Sequence, residues 1–168
     1  MGALTSVLDA LFLAYLISHI PITILVDSQI VVPAQYYPGW AKDLLQWHIK
    51  TNEDHLISTN PLWYSSMVFC ECVLQLPFFF IAAYAFIKRR NWIRIPGIIY
   101  GAHVVTTMVP ILTEILFSPA AGPKRVSLAL IYLPYLIVPL LLVVRMAVVA
   151  QPFGASSGRK KGGKRKAQ

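Results

Sequence analysis

The chain has 168 residues, 57% of them hydrophobic and only 13% charged, with a formal net charge of +8. That is too apolar for an ordinary water-soluble domain of this length. Nor does the charge make a nucleic-acid binder. Six of the fifteen Lys/Arg residues (Arg159, Lys160, Lys161, Lys164, Arg165, Lys166) fall in the last ten positions, as a solvated run rather than a structured basic face.

Four apolar segments follow one another, at about 4–32, 61–87, 95–117 and 126–150. Each supplies the roughly 20 apolar residues that a spanning helix needs. The predicted fold is an all-α membrane protein, a bundle of four transmembrane helices around an internal ligand pocket. Residues 1–9 begin helix one, 10–150 form the membrane domain, and 151–168 are a basic, low-complexity tail expected to be disordered. The first segment has no basic stretch before it and no clear small-residue cleavage site, so it reads as a retained span rather than a signal peptide. Lys88, Arg89, Arg90 and Arg94 lie between segments two and three, on the same side as the basic tail and a snorkelling Arg145. The other side carries only Lys42, Lys50, Lys124 and Arg125. Both termini are therefore expected in the cytosol, and the 33–60 and 118–125 loops in a lumen. In the longer loop, Trp40, Leu44, Trp47 and His48 recur at helical spacing. They predict a short amphipathic helix, either an aromatic anchor at the membrane interface or a lid over a cavity.

The spans carry few polar groups. Asp27 lies near the loop end of helix one, and Glu71 about ten residues into helix two, with Gln75 one turn further on the same face. A carboxyl at that depth is costly unless protonated, paired or facing a wet cavity. Two of them converging would not both ionise comfortably, so the pair should share a proton and hold one negative charge. The plainer alternative leaves Asp27 at a helix end among headgroups. Helix three places Tyr100, His103, Thr107, Pro110 and Glu114 in one stripe, and helix four aligns Tyr132, Tyr135 and Pro139. Such stripes serve either interhelical hydrogen bonding or an aromatic pocket for a flat apolar ligand or an organic cation. Prolines interrupt every span (Pro21, Pro77, Pro96, Pro110, Pro134, Pro139), and kinks at them would splay the bundle and leave room for a ligand. Cys70 and Cys72 point in different directions on one helix and cannot readily bridge. No metal-binding spacing, phosphate loop, nucleophile elbow or redox motif is present, so no metal or cofactor is expected.

Several runs in order, Ser18-His19-Ile20-Pro21-Ile22-Thr23 leading to Asp27, Phe69-Cys70-Glu71, Gln75-Leu76-Pro77-Phe78-Phe79, Trp92-Ile93-Arg94, Ile98-Ile99-Tyr100, Thr106-Thr107, Pro110-Ile111-Leu112 and Tyr132 with Pro134-Tyr135, resemble the sigma-2 receptor branch of the emopamil-binding (EXPERA) superfamily. The likeness covers most of 10–150. It implies that Asp27 pairs with a ligand amine and that Glu71 is a protonated acid hydrogen-bonded to it. It also implies that Gln75, Tyr100, Thr107, Tyr132 and Tyr135 line the pocket, and that Asp54 in the loop gives structural support. It further implies an endoplasmic-reticulum membrane protein, extending to the nuclear envelope, that binds sterols, oxysterols and cationic amphiphiles. Such proteins tend to form homodimers and act in cholesterol homeostasis with the Niemann–Pick type C cholesterol transporter. Lys166 and Lys164, third and fifth from the end of the sequence, fit a dilysine-type retrieval signal for that membrane.

Two alternatives carry different chemistry. The isomerases of the same superfamily move protons on a sterol ring with two acids and a histidine one turn before the first carboxylate. Here Thr23 holds that turn, and threonine takes up no proton near neutral pH, so the expected role is non-enzymatic. A membrane scaffold without a ligand of its own is the third reading.

Overall fold

A computed structural model describes residues 3–154; the basic tail, with Lys164 and Lys166, lies outside the described residues. Four long helical segments are apolar and long enough to cross a membrane: 5–30, 62–87, 91–117 and 125–148. Large apolar side chains such as Leu62, Ile99, Phe117 and Val148 point outward from them, as lipid requires and water would penalise.

The first span is α1 (Ala3–Leu25), with Pro21 inside it. It does not continue as an α-helix past Asp27, as the sequence led one to expect, but tightens into a 3₁₀ turn at Asp27–Ile30. Local side chains satisfy the backbone there. Ser28 Oγ donates to the Ile24 carbonyl at 2.8 Å and Gln29 Nε2 to the Leu25 carbonyl at 2.6 Å. These bonds replace part of the α-helical ladder and let the chain leave it cheaply.

At the loop end, α2 (Gly39–Asn52) and the single-turn α3 (His55–Thr59) fill the long connection. The two faces of α2 separate cleanly. Ala41 and Leu45 are buried, while Trp40, Leu44 and Trp47 stand exposed, the outward set suiting a membrane-interface anchor.

The second span is broken in register. An α-helical piece, α4 (Leu62–Cys70), passes into a π-helical turn at Glu71–Gln75 and then into α5 (Leu76–Ile87). Leu76 N–H bonds the Glu71 carbonyl five residues back. Pro77 is the cause in the sequence: it has no N–H to give the Val73 carbonyl, and its ring crowds that turn. The widened turn carries Glu71 and Gln75, and π turns of this kind recur at functional sites.

The last two spans, α6 (Arg94–Phe117) and α7 (Arg125–Val148), pack along their length, as α1 does on α5. Gly101 permits the close α6–α7 approach. A Cβ there would stand 2.5 Å from Val143 Cγ2 and 2.8 Å from the Pro139 carbonyl oxygen, and the backbone oxygen cannot move aside easily. Gly101→Ala is therefore expected to cost roughly 1–3 kcal/mol, read as a lowered melting temperature of the purified protein; an unchanged melting temperature would show that the two helices slide apart freely.

The end that carries both termini is sealed by polar contacts. Arg145 does not snorkel outward as expected. It is buried, its guanidinium donating to Asp9 Oδ1 at 2.5 Å and to the Pro152 carbonyl at 3.2 Å. Asp9 on α1 supplies an anion inside the bundle that outcompetes the interface, because a paired buried charge avoids the penalty of a lone one. Asn91 ties residues 153 and 154 to the same end, and Phe153 packs edge-on against Phe86 at 5.2 Å.

Candidate functional site

A cavity of about 210 Å³ lies among the four spans, reached by side chains of every one of them. From the first span Tyr15, His19, Ile22, Val26 and Asp27 face it. The broken second span adds Tyr64, Met67, Val68, Glu71 and Gln75. α6 adds Val104, Thr107, Met108 and Ile111, and α7 adds Ile131, Tyr132 and Tyr135. His48 and Ile57 close the loop end.

The two acids meet in this cavity. Asp27 and Glu71 both line it, near enough for each carboxyl to feel the other, and both are only partly covered by protein. A hydrogen bond between two carboxyl groups needs a proton on one of them, since an ionised carboxylate only accepts. The pair therefore carries one negative charge when it holds one proton. Thr23, completely buried, donates its hydroxyl to Glu71 Oε1 at 2.7 Å and fixes the orientation of that acid. The sequence comparison had treated Thr23 only as a missing histidine; in the fold it positions Glu71.

Aromatic rings share the cavity wall with the two acids. Tyr135 and His19 are perpendicular with centroids 5.0 Å apart, Tyr15 and His19 lie 3.8 Å apart, and Tyr132 and Tyr135 lie 6.2 Å apart. Ring faces beside a single anion, in a largely apolar space, attract an organic cation through both its charge and its apolar surface.

Asp54 lies outside the cavity wall and is fully buried. Its Oδ1 caps α3 by accepting from Ile57 N–H at 3.0 Å, while Oδ2 accepts from the Tyr132 hydroxyl at 2.7 Å and from His48 Nε2 at 3.2 Å. Burial alone would raise this acid. The hydrogen bonds from His48, the Ile57 amide and Tyr132 outweigh it and hold the carboxyl below its usual range. Asn52 Nδ2 lies 3.1 Å from His48 Nδ1, which assigns the proton of a neutral ring to Nε2, facing Asp54. One carboxylate thus binds the loop helices to α7.

Of the sequence-predicted lining residues, Asp27, Glu71, Gln75, Thr107, Tyr132 and Tyr135 share this cavity. Tyr100 does not line it. Tyr100 stacks on Phe78 at 4.4 Å and borders, with His103 and Gln75, a separate lipid-side recess between the second span and α6. The stripe read along helix three is thus split: the cavity takes Val104, Thr107, Met108 and Ile111, and neither Pro110 nor Glu114 reaches it. The sequence reading did not place Tyr15, Thr23, His48, Tyr64 or Met67 at the site. Tyr15, His19, Ile22 and Val26 do recur at steps of four, three and four, a signal that could have found this wall of α1. Among the described residues no group of three or more His, Cys, Asp or Glu is placed to hold a metal ion.

Four membrane-length spans enclose a cavity that holds two carboxyls, and the comparisons give this architecture a family. The EXPERA (expanded EBP superfamily) family matches residues 40–146, and the chain belongs to that superfamily. Within it the chain is similar to Sigma intracellular receptor 2 of Xenopus tropicalis, 46% identical over 156 residues, covering 87% of this chain and 91% of that protein. It is similar also to Sigma intracellular receptor 2 of Homo sapiens, 45% identical over 145 residues, covering 79% and 82%. A more distant relative is Efficient mitochondria targeting-associated protein 19 of Saccharomyces cerevisiae, 32% identical over 148 residues and covering 77% and 91%.

Proposed function

We propose that this protein is an intracellular receptor of the sigma-2 type that binds sterols, oxysterols and cationic amphiphiles from within the membrane. The observation that carries the reading is the Asp27–Glu71 pair, brought together in a cavity walled by Tyr15, Tyr64, Tyr132 and Tyr135. One net anion in an apolar, aromatic chamber suits an amine with a greasy body. The similarity to two proteins named Sigma intracellular receptor 2 supports the same role. The proposed setting is the endoplasmic-reticulum membrane and its continuation in the nuclear envelope, with both termini cytosolic, in line with the distribution of Lys and Arg. The proposed role is cholesterol homeostasis and trafficking, as a homodimer in contact with the Niemann–Pick type C cholesterol transporter.

The same acid pair would suit a sterol isomerase, the second reading. Against it stands Thr23, whose hydroxyl donates a hydrogen bond to Glu71 and takes up no proton near neutral pH. Two measurements separate the readings. Purified protein in nanodiscs should bind a radiolabelled tertiary amine saturably, with competition by sterol, and the gene should not restore growth to an isomerase-deficient yeast strain. Absence of saturable binding would reduce the protein to a scaffold, and growth of the yeast would make it an enzyme.

A further inference from the structure

Among the described residues, His19 is a polar side chain of this cavity that stands apart from the acid pair. It is 7% exposed, and its Nδ1 lies 2.6 Å from the Tyr15 carbonyl oxygen one turn back on α1. A carbonyl only accepts, so the ring proton sits on Nδ1 and the neutral imidazole presents a lone pair at Nε2. That Nε2 is buried with no hydrogen-bond partner among the described residues. The ring is held rather than free, by Tyr15 at 3.8 Å, Tyr135 at 5.0 Å and Phe79 at 5.6 Å between centroids. An orphaned acceptor in a rigid wall is a standing cost, and a partner from outside the chain relieves it.

The position of this acceptor relative to the acids sets a length. Thr23, which holds Glu71, is one turn along α1 from His19, and Asp27 lies eight residues on, in the 3₁₀ turn just past the end of α1. Eight residues at 1.5 Å each give an axial separation on the order of 12 Å. We infer that His19 Nε2 is a second polar subsite of the cavity, accepting a hydrogen bond from a hydroxyl or N–H that the ligand carries about two helical turns from its cationic amine. The inference rests on the binding role proposed for Asp27 and extends it: preferred ligands have a cation at one end, a donor at the other and an apolar body between. Tyr135, whose ring flanks His19, itself faces the cavity beside this acceptor.

The test uses a matched pair of probes, an N-alkylpiperidine with a terminal phenol at that spacing and the same molecule with the phenol capped as its methyl ether. The phenol should bind the full-length protein about tenfold more tightly than the ether, the worth of one buried hydrogen bond. In His19→Phe, which keeps a ring in the aromatic cluster, the two probes should bind alike, the tenfold ratio between them falling to about one. His19→Gln, which restores a side-chain acceptor, should recover the preference and guards against a folding artefact in the first variant. Equal binding of the two probes to the wild type, or a preference that survives His19→Phe, would overturn the subsite. Failure of the underlying charge pairing shows differently: both probes would then keep their affinity in Asp27→Asn.

Discussion

Asp27→Asn is expected to lower the affinity for a tertiary amine about 100-fold or more, while the protein stays folded. The substitution preserves shape and removes the charge. The amine would still lose its water on entering the cavity but would find no full anion at position 27, and removing one partner of a desolvated ion pair is costly for that reason. Glu71→Gln is the discriminating companion. A glutamine amide can donate to Asp27 as a protonated glutamic acid does, so the anion on Asp27 keeps its neighbour and the loss should stay below about tenfold. Equilibrium binding of one labelled amine to both variants, with melting temperature as the control for folding, measures the contrast. Intact affinity in folded Asp27→Asn would end the charge-pairing account. Equal losses in the two variants would mean that the charge resides on the pair as a unit.

The parts of this site that the sequence revealed are those governed by cost. Lipid forbids idle carboxyls, so Asp27 and Glu71 stood out in their apolar runs before any geometry was known, and hydropathy alone located all four spans. What stayed hidden depends on register. The helix-three stripe of Tyr100, His103, Thr107, Pro110 and Glu114 assumes one uniform face, yet α6 lies against two openings, so Thr107 faces the cavity while Tyr100 and His103 border the lipid-side recess. The π turn at Glu71–Gln75 was likewise unreadable in detail. Pro77 announces a break, but it does not say whether the helix will kink or widen. Arg145 misled for a third reason: its partner, Asp9, is 136 residues away, and a charge near a membrane end reads as snorkelling until its partner is known. Asp54 reads in the sequence as a loop carboxylate that caps or ties down its segment, but its three donors come from α2, α3 and α7, elements that only the fold brings together.

Asp54→Ala is expected to destabilise the protein by roughly 3–5 kcal/mol. The Tyr132 hydroxyl and His48 Nε2 would lose their shared acceptor, and Ile57 N–H its cap, where a helix cap alone is worth about 1 kcal/mol. For a chain of this length that is a fall in melting temperature of roughly 10 °C. Because Asp54 is not part of the cavity wall, amine affinity should fall only as the loop end loosens, and cooling well below the new melting temperature should restore most of it. Affinity lost at every temperature would instead mean direct ligand contact. Acid provides the second check. The folded state holds Asp54 below the ordinary aspartate value, so its contribution to stability is complete above that value, about 3.9, and is lost as pH falls through the lower folded value. The difference in melting temperature between wild type and Asp54→Asn should therefore stay constant across the neutral and mildly acidic range and close only in stronger acid. A gap that widened on acidification would show that protonated Asp54 is the stabilising form, and the bonds from Tyr132, His48 and Ile57 would have to be reassigned.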